Sequence, residues 1–125
     1  EMKDRYGLTM IFVAHDMAVV RNISDRVAVM YLGKLCEVAT PRQVYASPMH
    51  PYTQLLVESI PQPDPSVRVA DLVEEPAAEL PSPLDPPSGC RFRTRCPLAT
   101  ERCTIEEPLL REVQPGHFVA CHEIA

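Results

Sequence analysis

The stretch Leu8-Thr9-Met10-Ile11-Phe12-Val13-Ala14-His15-Asp16 decides the first interpretation of the fold. Leu8 to Ala14 form a continuous apolar run, which is typical of a parallel strand buried on both faces of its sheet. His15 follows the run directly, and Asp16 is suited to cap a helix over Met17–Ser24. A buried strand leading into a capped helix predicts an α/β protein.

Residues 1–57 continue this α/β pattern. The predicted elements after the first helix are a strand over Arg26–Tyr31, a turn at 32–34, a strand over Leu35–Ala39 that completes a hairpin, a short helix capped by Thr40 with Pro41 at its first position, and a helix over Gln54–Ser59. A buried parallel strand needs neighbours on both sides, and residues 1–57 do not supply them. We therefore expect an incomplete domain in a chain that is a fragment.

The remaining chain divides into a linker and a cysteine-bearing module. Residues 58–88 contain eight of the 14 prolines and seven acidic residues against one basic residue, which predicts an extended acidic linker. Within it, Arg68–Val73 could form one short strand or turn. Residues 89–125 hold four of the five cysteines, and we expect a small irregular module there, with a short helix over Leu98–Ile105 and a short strand over Phe118–Cys121. The net charge of −5 arises in the linker, so the chain has no broad basic face for nucleic acid.

His15 is the one clear candidate for catalysis. In an open parallel sheet, ligands bind beyond the carboxyl ends of the strands, which is where His15 would stand. A histidine there could donate a hydrogen bond to a phosphate or hold an attacking water. Position alone favours a plainer role, in which the ring bonds to backbone at the end of the strand.

The spacing Cys90-x₅-Cys96-x₆-Cys103-x₁₇-Cys121 predicts a metal centre in a tail with little apparent core. Zinc usually takes closely spaced cysteine pairs, which this pattern lacks, whereas an iron–sulfur cluster accepts wider gaps. Spacing leaves these two alternatives equal, with disulfides behind them. Arginines near the first three cysteines would lower thiol pKa values. His117 and His122 flank Cys121 and could replace a ligand, but they are expected at the surface or behind the ligands. Cys36 is expected to be a half-buried apolar residue.

Four segments in order resemble one family. Gly7–Val20 resembles the switch-histidine segment of ABC transporter ATPases, and Ser24–Lys34 is similar to the next segment of those proteins. Ser47–Thr53 resembles the His-Pro-Tyr motif of the dipeptide/oligopeptide importer subgroup. The tail from Gly89 to His122 is similar to the C-terminal extension of that subgroup.

The resemblance implies the tail end of a P-loop-type ABC ATPase domain, in a peripheral subunit on the cytoplasmic side of the membrane that drives import of peptides. It implies ATP with Mg²⁺ in the full-length protein, a second ATP-binding subunit and transmembrane permease subunits as partners. His15 would contact the γ-phosphate, and the four tail cysteines would carry a [4Fe–4S] cluster, with Zn²⁺ as the alternative.

The chain departs from the pattern of an active ATPase. It contains no G-x-x-x-x-G-K-[ST] phosphate loop, no ABC signature and no Walker B strand, so we expect no ATP hydrolysis by this chain alone. His50-Pro51-Tyr52 is expected to pack rather than to contact ligand. The alternative function is a stand-alone zinc- or iron–sulfur-binding regulatory or interaction module.

Overall fold

A four-stranded antiparallel sheet organises the fold in the computed structural model, which describes residues 2–60 and 81–124. The strands are β1 (Val27–Tyr31), β2 (Lys34–Ala39), β3 (Arg111–Gln114) and β4 (His117–Val119), in the sheet order β1-β2-β4-β3. The helices are α1 (Met2–Tyr6), α2 (Met17–Ile23), α3 (Pro41–Ala46), α4 (Pro51–Glu58) and α5 (Glu101–Ile105). Among these described helices, none has the length and apolar character needed to span a membrane.

The β1–β2 hairpin confirms the sequence prediction. Val27, Val29 and Tyr31 alternate with exposed residues along β1 and are buried, as expected for a strand with one face on the core. The turn needs left-handed backbone at two positions, with φ of 47° at Leu32 and 78° at Gly33. Glycine adopts this conformation without steric penalty, which explains its place in the turn.

Three helix starts follow from local capping. The Asp16 carboxylate accepts from the Ala18 N–H at 2.9 Å, which confirms the predicted cap of α2. Thr40 and Gln43 form a reciprocal capping box at α3, with Pro41 at its first position. Helix α4 begins at Pro51, three residues before the predicted start, because the His50 ring accepts the Tyr52 N–H at 3.1 Å and caps the first turn.

The predicted parallel strand is not formed in the described structure. Residues 8–14 have no strand, and the side chains of Ile11 and Val13 are 91% and 98% exposed. A parallel strand requires hydrogen-bonding partners on adjacent strands, and the four described strands pair only with one another, all antiparallel. The apolar run indicated burial that the other described residues of this chain do not provide.

The C-terminal segment is more regular than predicted. The expected irregular module contains α5 and a β3–β4 hairpin, and β4 begins at His117 rather than at Phe118. Strand β4 also pairs with β2, through Glu37 opposite Val119 and Val38 opposite Phe118. Residues from both ends of the chain therefore share one sheet, because a short hairpin gains pairing and burial by adding to an existing strand.

The core lies on one side of β1 and β2. Its buried members are Val27, Val29, Tyr31, Cys36, Ala39, Val44 and Phe92. Phe92 comes from the cysteine-bearing segment, so the two ends also share apolar packing. Most of the predicted acidic linker, including a short strand or turn considered at 68–73, lies outside the described residues.

Candidate functional site

Gly89 allows two cysteine-bearing segments to meet. The Cys90 N–H donates to the Cys103 carbonyl at 2.8 Å, which joins the segment before the first cysteine to helix α5. Gly89 has a φ of +66°, and a Cβ atom placed on it would lie 2.2 Å from the Cys103 carbonyl oxygen. Only glycine accommodates both this backbone conformation and this close approach.

The four predicted ligand cysteines come together in the structure. All of them are free thiols, and every pair among them interacts electrostatically. Burial is the main cause that raises the pKa of Cys90, Cys96 and Cys121, and the charges of the other thiolates raise these pKa values further. Metal binding at these sulfurs must therefore displace protons.

Backbone N–H groups face three of the sulfurs. Main-chain hydrogen bonds lower the pKa of these thiols and partly oppose the rise that burial causes. The main-chain groups are those of Phe92 and Arg93 at Cys90, of Leu98 at Cys96, and of Glu123 and Ile124 at Cys121. Such bonds favour the thiolate form, and hydrogen bonds to ligand sulfurs are one of the ways a protein tunes an iron–sulfur cluster. The environment of these sulfurs thus includes donors suited to thiolate ligands.

The thiols do not form the site of a single metal ion. Over residues 2–60 and 81–124, no group of three or more His, Cys, Asp or Glu side chains is arranged to hold one ion. A tetrahedral zinc with Zn–S distances of about 2.3 Å brings its sulfurs to roughly 3.8 Å from one another. The four cysteines share one region without reaching that arrangement.

The arginines do not act on the thiols as expected. The prediction that they lower thiol pKa values is wrong for Cys90, Cys96 and Cys121, because burial dominates. Three of the guanidinium groups donate to main-chain carbonyls: Arg91 to Leu32, Arg93 to Ser88 at 2.8 Å, and Arg111 to Cys121 and Ile124. Arg102 donates to the Glu106 carboxylate at 2.9 Å, and Arg95 lies over the Phe92 ring.

A buried polar network, which sequence reasoning missed, lies beside the cysteines. Glu37 and His117 are both 0% exposed, and the His117 Nε2 atom lies 2.5 Å from Glu37 Oε1. Glu37 also accepts from the Met49 N–H at 3.1 Å and the His50 N–H at 2.9 Å. Of the two places expected for His117, the surface is wrong, because β4 turns its side chain towards Glu37 and buries it. A charged residue within the apolar pattern of β2 was the available signal.

The histidine of the His-Pro-Tyr motif is part of this network. His50 is 2% exposed, and burial lowers its pKa to about 4 against an opposing effect of the Glu37 charge. Aromatic rings surround the motif, with Tyr52 4.8 Å from Tyr31 and 5.3 Å from Phe92 between ring centroids. The motif packs against both ends of the chain.

His15 lies away from the cysteines. Its side chain is exposed, and it lines a cavity of about 350 Å³ between the start of α2 and the end of α4. Asp16, Leu56 and Ile60 are among the other lining residues, and no cysteine lines this cavity. His122 is half-buried, and its Nε2 atom lies 2.9 Å from the Glu106 carbonyl oxygen.

The sequence of the chain matches the model of a known protein family. The model of the oligopeptide/dipeptide transporter, C-terminal region, matches residues 36–103, which is more than half of the 125 residues. The chain belongs to this family. The matched region begins in β2 and extends through the His-Pro-Tyr motif to the third of the four cysteines, so it includes most of the network and of the thiol cluster described above.

Individual relatives match almost the whole chain. A Brucella ovis protein named "Putative peptide import ATP-binding protein" is 51% identical over 121 residues, which is 97% of this chain and 38% of the relative. The Bacillus subtilis oligopeptide transport ATP-binding protein AppF is 48% identical over 98% of the chain and 37% of its own length. The Escherichia coli oligopeptide transport ATP-binding protein OppF is 47% identical over 99% and 37%. The chain thus spans just over a third of the relatives it matches.

Proposed function

We propose that this chain is the C-terminal part of the ATP-binding subunit of an ABC transporter that imports dipeptides or oligopeptides. The observation that carries the proposal is the family match over residues 36–103, together with identities near 50% to proteins named as peptide import or oligopeptide transport ATP-binding proteins. The match joins the His-Pro-Tyr motif to the cysteines in one family, which disfavours a stand-alone metal-binding module.

His15 is the residue of this chain that we assign to ATP chemistry. Its exposed imidazole can donate a hydrogen bond to a γ-phosphate oxygen or orient the attacking water. The chain has no phosphate loop, so these residues alone offer no cradle of backbone amides for ATP and Mg²⁺. The proposed role of His15 therefore belongs to the full-length protein, in which bound Mg²⁺ would neutralise the phosphate charge.

The role of His15 is tested by ATP turnover of the full-length protein in the assembled transporter. We expect His15→Ala to lower kcat by about a hundredfold or more, the usual contribution of a positioned acid–base group. Asn22→Ala is the matched control, because Asn22 is an exposed residue of α2 whose side chain donates to the Ala18 carbonyl of the same helix. Equal turnover by the His15 variant, the control and the wild type would exclude a catalytic role for His15.

The tail cysteines form the second part of the proposal. We propose that Cys90, Cys96, Cys103 and Cys121 bind a [4Fe–4S] cluster, with Zn²⁺ as the alternative. A four-iron cluster holds each thiolate on a different iron, so its ligands stand farther apart than those of one ion. Mutually interacting thiols with main-chain donors support a centre that takes all four cysteines. When bound, such a centre supplies a covalent link between the segments that carry the four cysteines.

Anaerobic purification with iron, sulfide and zinc assays tests this centre. We expect about four irons and four sulfides per chain in the wild type. Cys103→Ser should lose the cluster, whereas Cys36→Ser is the matched control because Cys36 is not among the four proposed ligands. Stoichiometric zinc without sulfide would overturn the choice of cluster, and retention of iron by the Cys103 variant would overturn the ligand set.

The proposed partners follow from the importer assignment. They are a second ATP-binding subunit and the transmembrane permease subunits, with this subunit peripheral on the cytoplasmic side of the membrane. Co-purification of the tagged full-length protein with the permease subunits from detergent-solubilised membranes tests the assignment. Recovery without any permease would contradict it.

A further inference from the structure

Glu37 occupies a junction between two segments that are distant in sequence. One side of its carboxylate, Oε2, accepts the His50 N–H at 2.9 Å at the start of α4. The other side, Oε1, faces the His117 Nε2 atom on β4 and accepts the Met49 N–H at 3.1 Å. Both oxygens are therefore used, and the side chain is wholly buried. We call Glu37, Met49, His50 and His117 the Glu37 clamp.

A buried carboxylate depends on every one of these donors. Removing one partner of a buried polar group leaves the other with the full cost of desolvation. Among the described residues, His117 is the one side-chain donor that faces Glu37, and the remaining donors are main-chain N–H groups. Loss of the His117 donor should therefore move the carboxylate and weaken its bonds to Met49 and His50.

The contact between His117 and Glu37 requires a proton on one nitrogen of the ring. Its Nε2 atom must carry a proton, because a bare nitrogen would face a carboxylate oxygen. Its Nδ1 atom is buried with no hydrogen-bond partner in the described part of the chain. The contact with Glu37 therefore depends on the Nε2–H group of this ring.

We propose that the Glu37 clamp is a positioning device that links the His-Pro-Tyr helix start to the strand leading into Cys121. His117 acts through its Nε2–H group, and Glu37 in turn holds the Met49 and His50 amides. The adjoining seam is short, with two paired positions between β2 and β4 and the Ala120 N–H on the Cys36 carbonyl at 2.8 Å. The clamp thus restrains the start of α4 and strand β4 relative to each other, whether or not the thiols bind metal.

Amide hydrogen exchange of the full-length protein tests the link across the clamp. His117→Phe keeps an aromatic ring but removes the donor, and we expect exchange at the Met49 and His50 amides to rise by about tenfold to a hundredfold. His117→Gln restores a donor towards Glu37 and should keep both rates near those of the wild type. Glu112→Gln is the matched control, because this exposed glutamate of β3 bonds to Gly116 and not to the clamp.

Two results of the exchange experiment would overturn the proposal. Unchanged Met49 and His50 rates in His117→Phe would show that the restraint does not cross the clamp. Equal acceleration in His117→Gln and His117→Phe would show that the imidazole ring itself, rather than its donor, holds the two amides.

A measurement on the unmodified protein decides the case if His117→Phe does not fold. Ring ¹⁵N shifts should show a proton on Nε2 of His117, and a ring that carries its proton on Nδ1 alone would overturn the proposal. None of these measurements involves ATP or iron. Their outcome is therefore separate from the fate of the proposed transporter function.

Discussion

Acidification should destabilise the protein through His50. The pKa of this buried imidazole is lowered from 6.5 to about 4, chiefly because burial disfavours its charged form. A group with a depressed folded-state pKa contributes its full stability above the unfolded value of 6.5, and that contribution is lost as the pH falls towards 4. Each pH unit below 6.5 in this window lowers the free energy of unfolding by about 1.4 kcal/mol. Acidification from pH 8 to pH 5 should therefore lower it by about 2 kcal/mol, because only the part below 6.5 contributes.

Urea unfolding at a series of pH values between 8 and 4 measures this cost. His50→Asn is the informative variant, because asparagine is also a good helix cap and does not titrate. We expect this variant to be less stable than the wild type at pH 8 but to lose about 2 kcal/mol less on acidification to pH 5. His15→Asn is the control, because that side chain is exposed. An equal pH dependence in His50→Asn and the wild type would refute the reasoning.

Three further predictions concern stability. Burial raises the pKa of Cys36 from 9.0 to about 12. The free energy of unfolding of the reduced, metal-free protein should therefore fall by about 1.4 kcal/mol per pH unit above 9. Cys36→Ala should remove this pH dependence from alkaline unfolding curves. Gly89→Ala should lower the unfolding midpoint far more than Gly116→Ala, because both glycines have positive φ but only Gly89 would bring a Cβ against the Cys103 carbonyl. Thr40→Ala should cost about 1 kcal/mol through loss of its cap, and an unchanged urea midpoint would contradict the capping box.

The predictions that the structure confirms depend on neighbouring residues. Asp16 caps α2 and Thr40 caps α3 because a short polar side chain reaches N–H groups two or three residues away. The turn at Leu32 and Gly33 likewise depends on local backbone conformation. The predicted start of α4 is wrong because a histidine cap is a weaker sequence signal than the serine, threonine, aspartate or asparagine caps.

The errors concern partners that are distant in sequence. The apolar run at 8–14 indicates a buried strand, but burial requires a surface that no other described segment of this chain supplies. The arginines near the cysteines predict lowered thiol pKa values, yet their guanidinium groups bond mainly to carbonyl oxygens elsewhere. Sequence proximity does not determine where a long, flexible side chain finds its partner.

The sequence by itself determined the capped helices, the hairpin, the resemblance to a peptide-importer family and the set of four tail cysteines, because each of these depends on short spacings or on residue identity. Only the tertiary structure decided that β4 pairs with β2, that Phe92 completes the core, and that Glu37 meets His117. The physical reason is that a buried carboxylate is tolerated only where distant donors converge on it, and that convergence exists only in the folded chain.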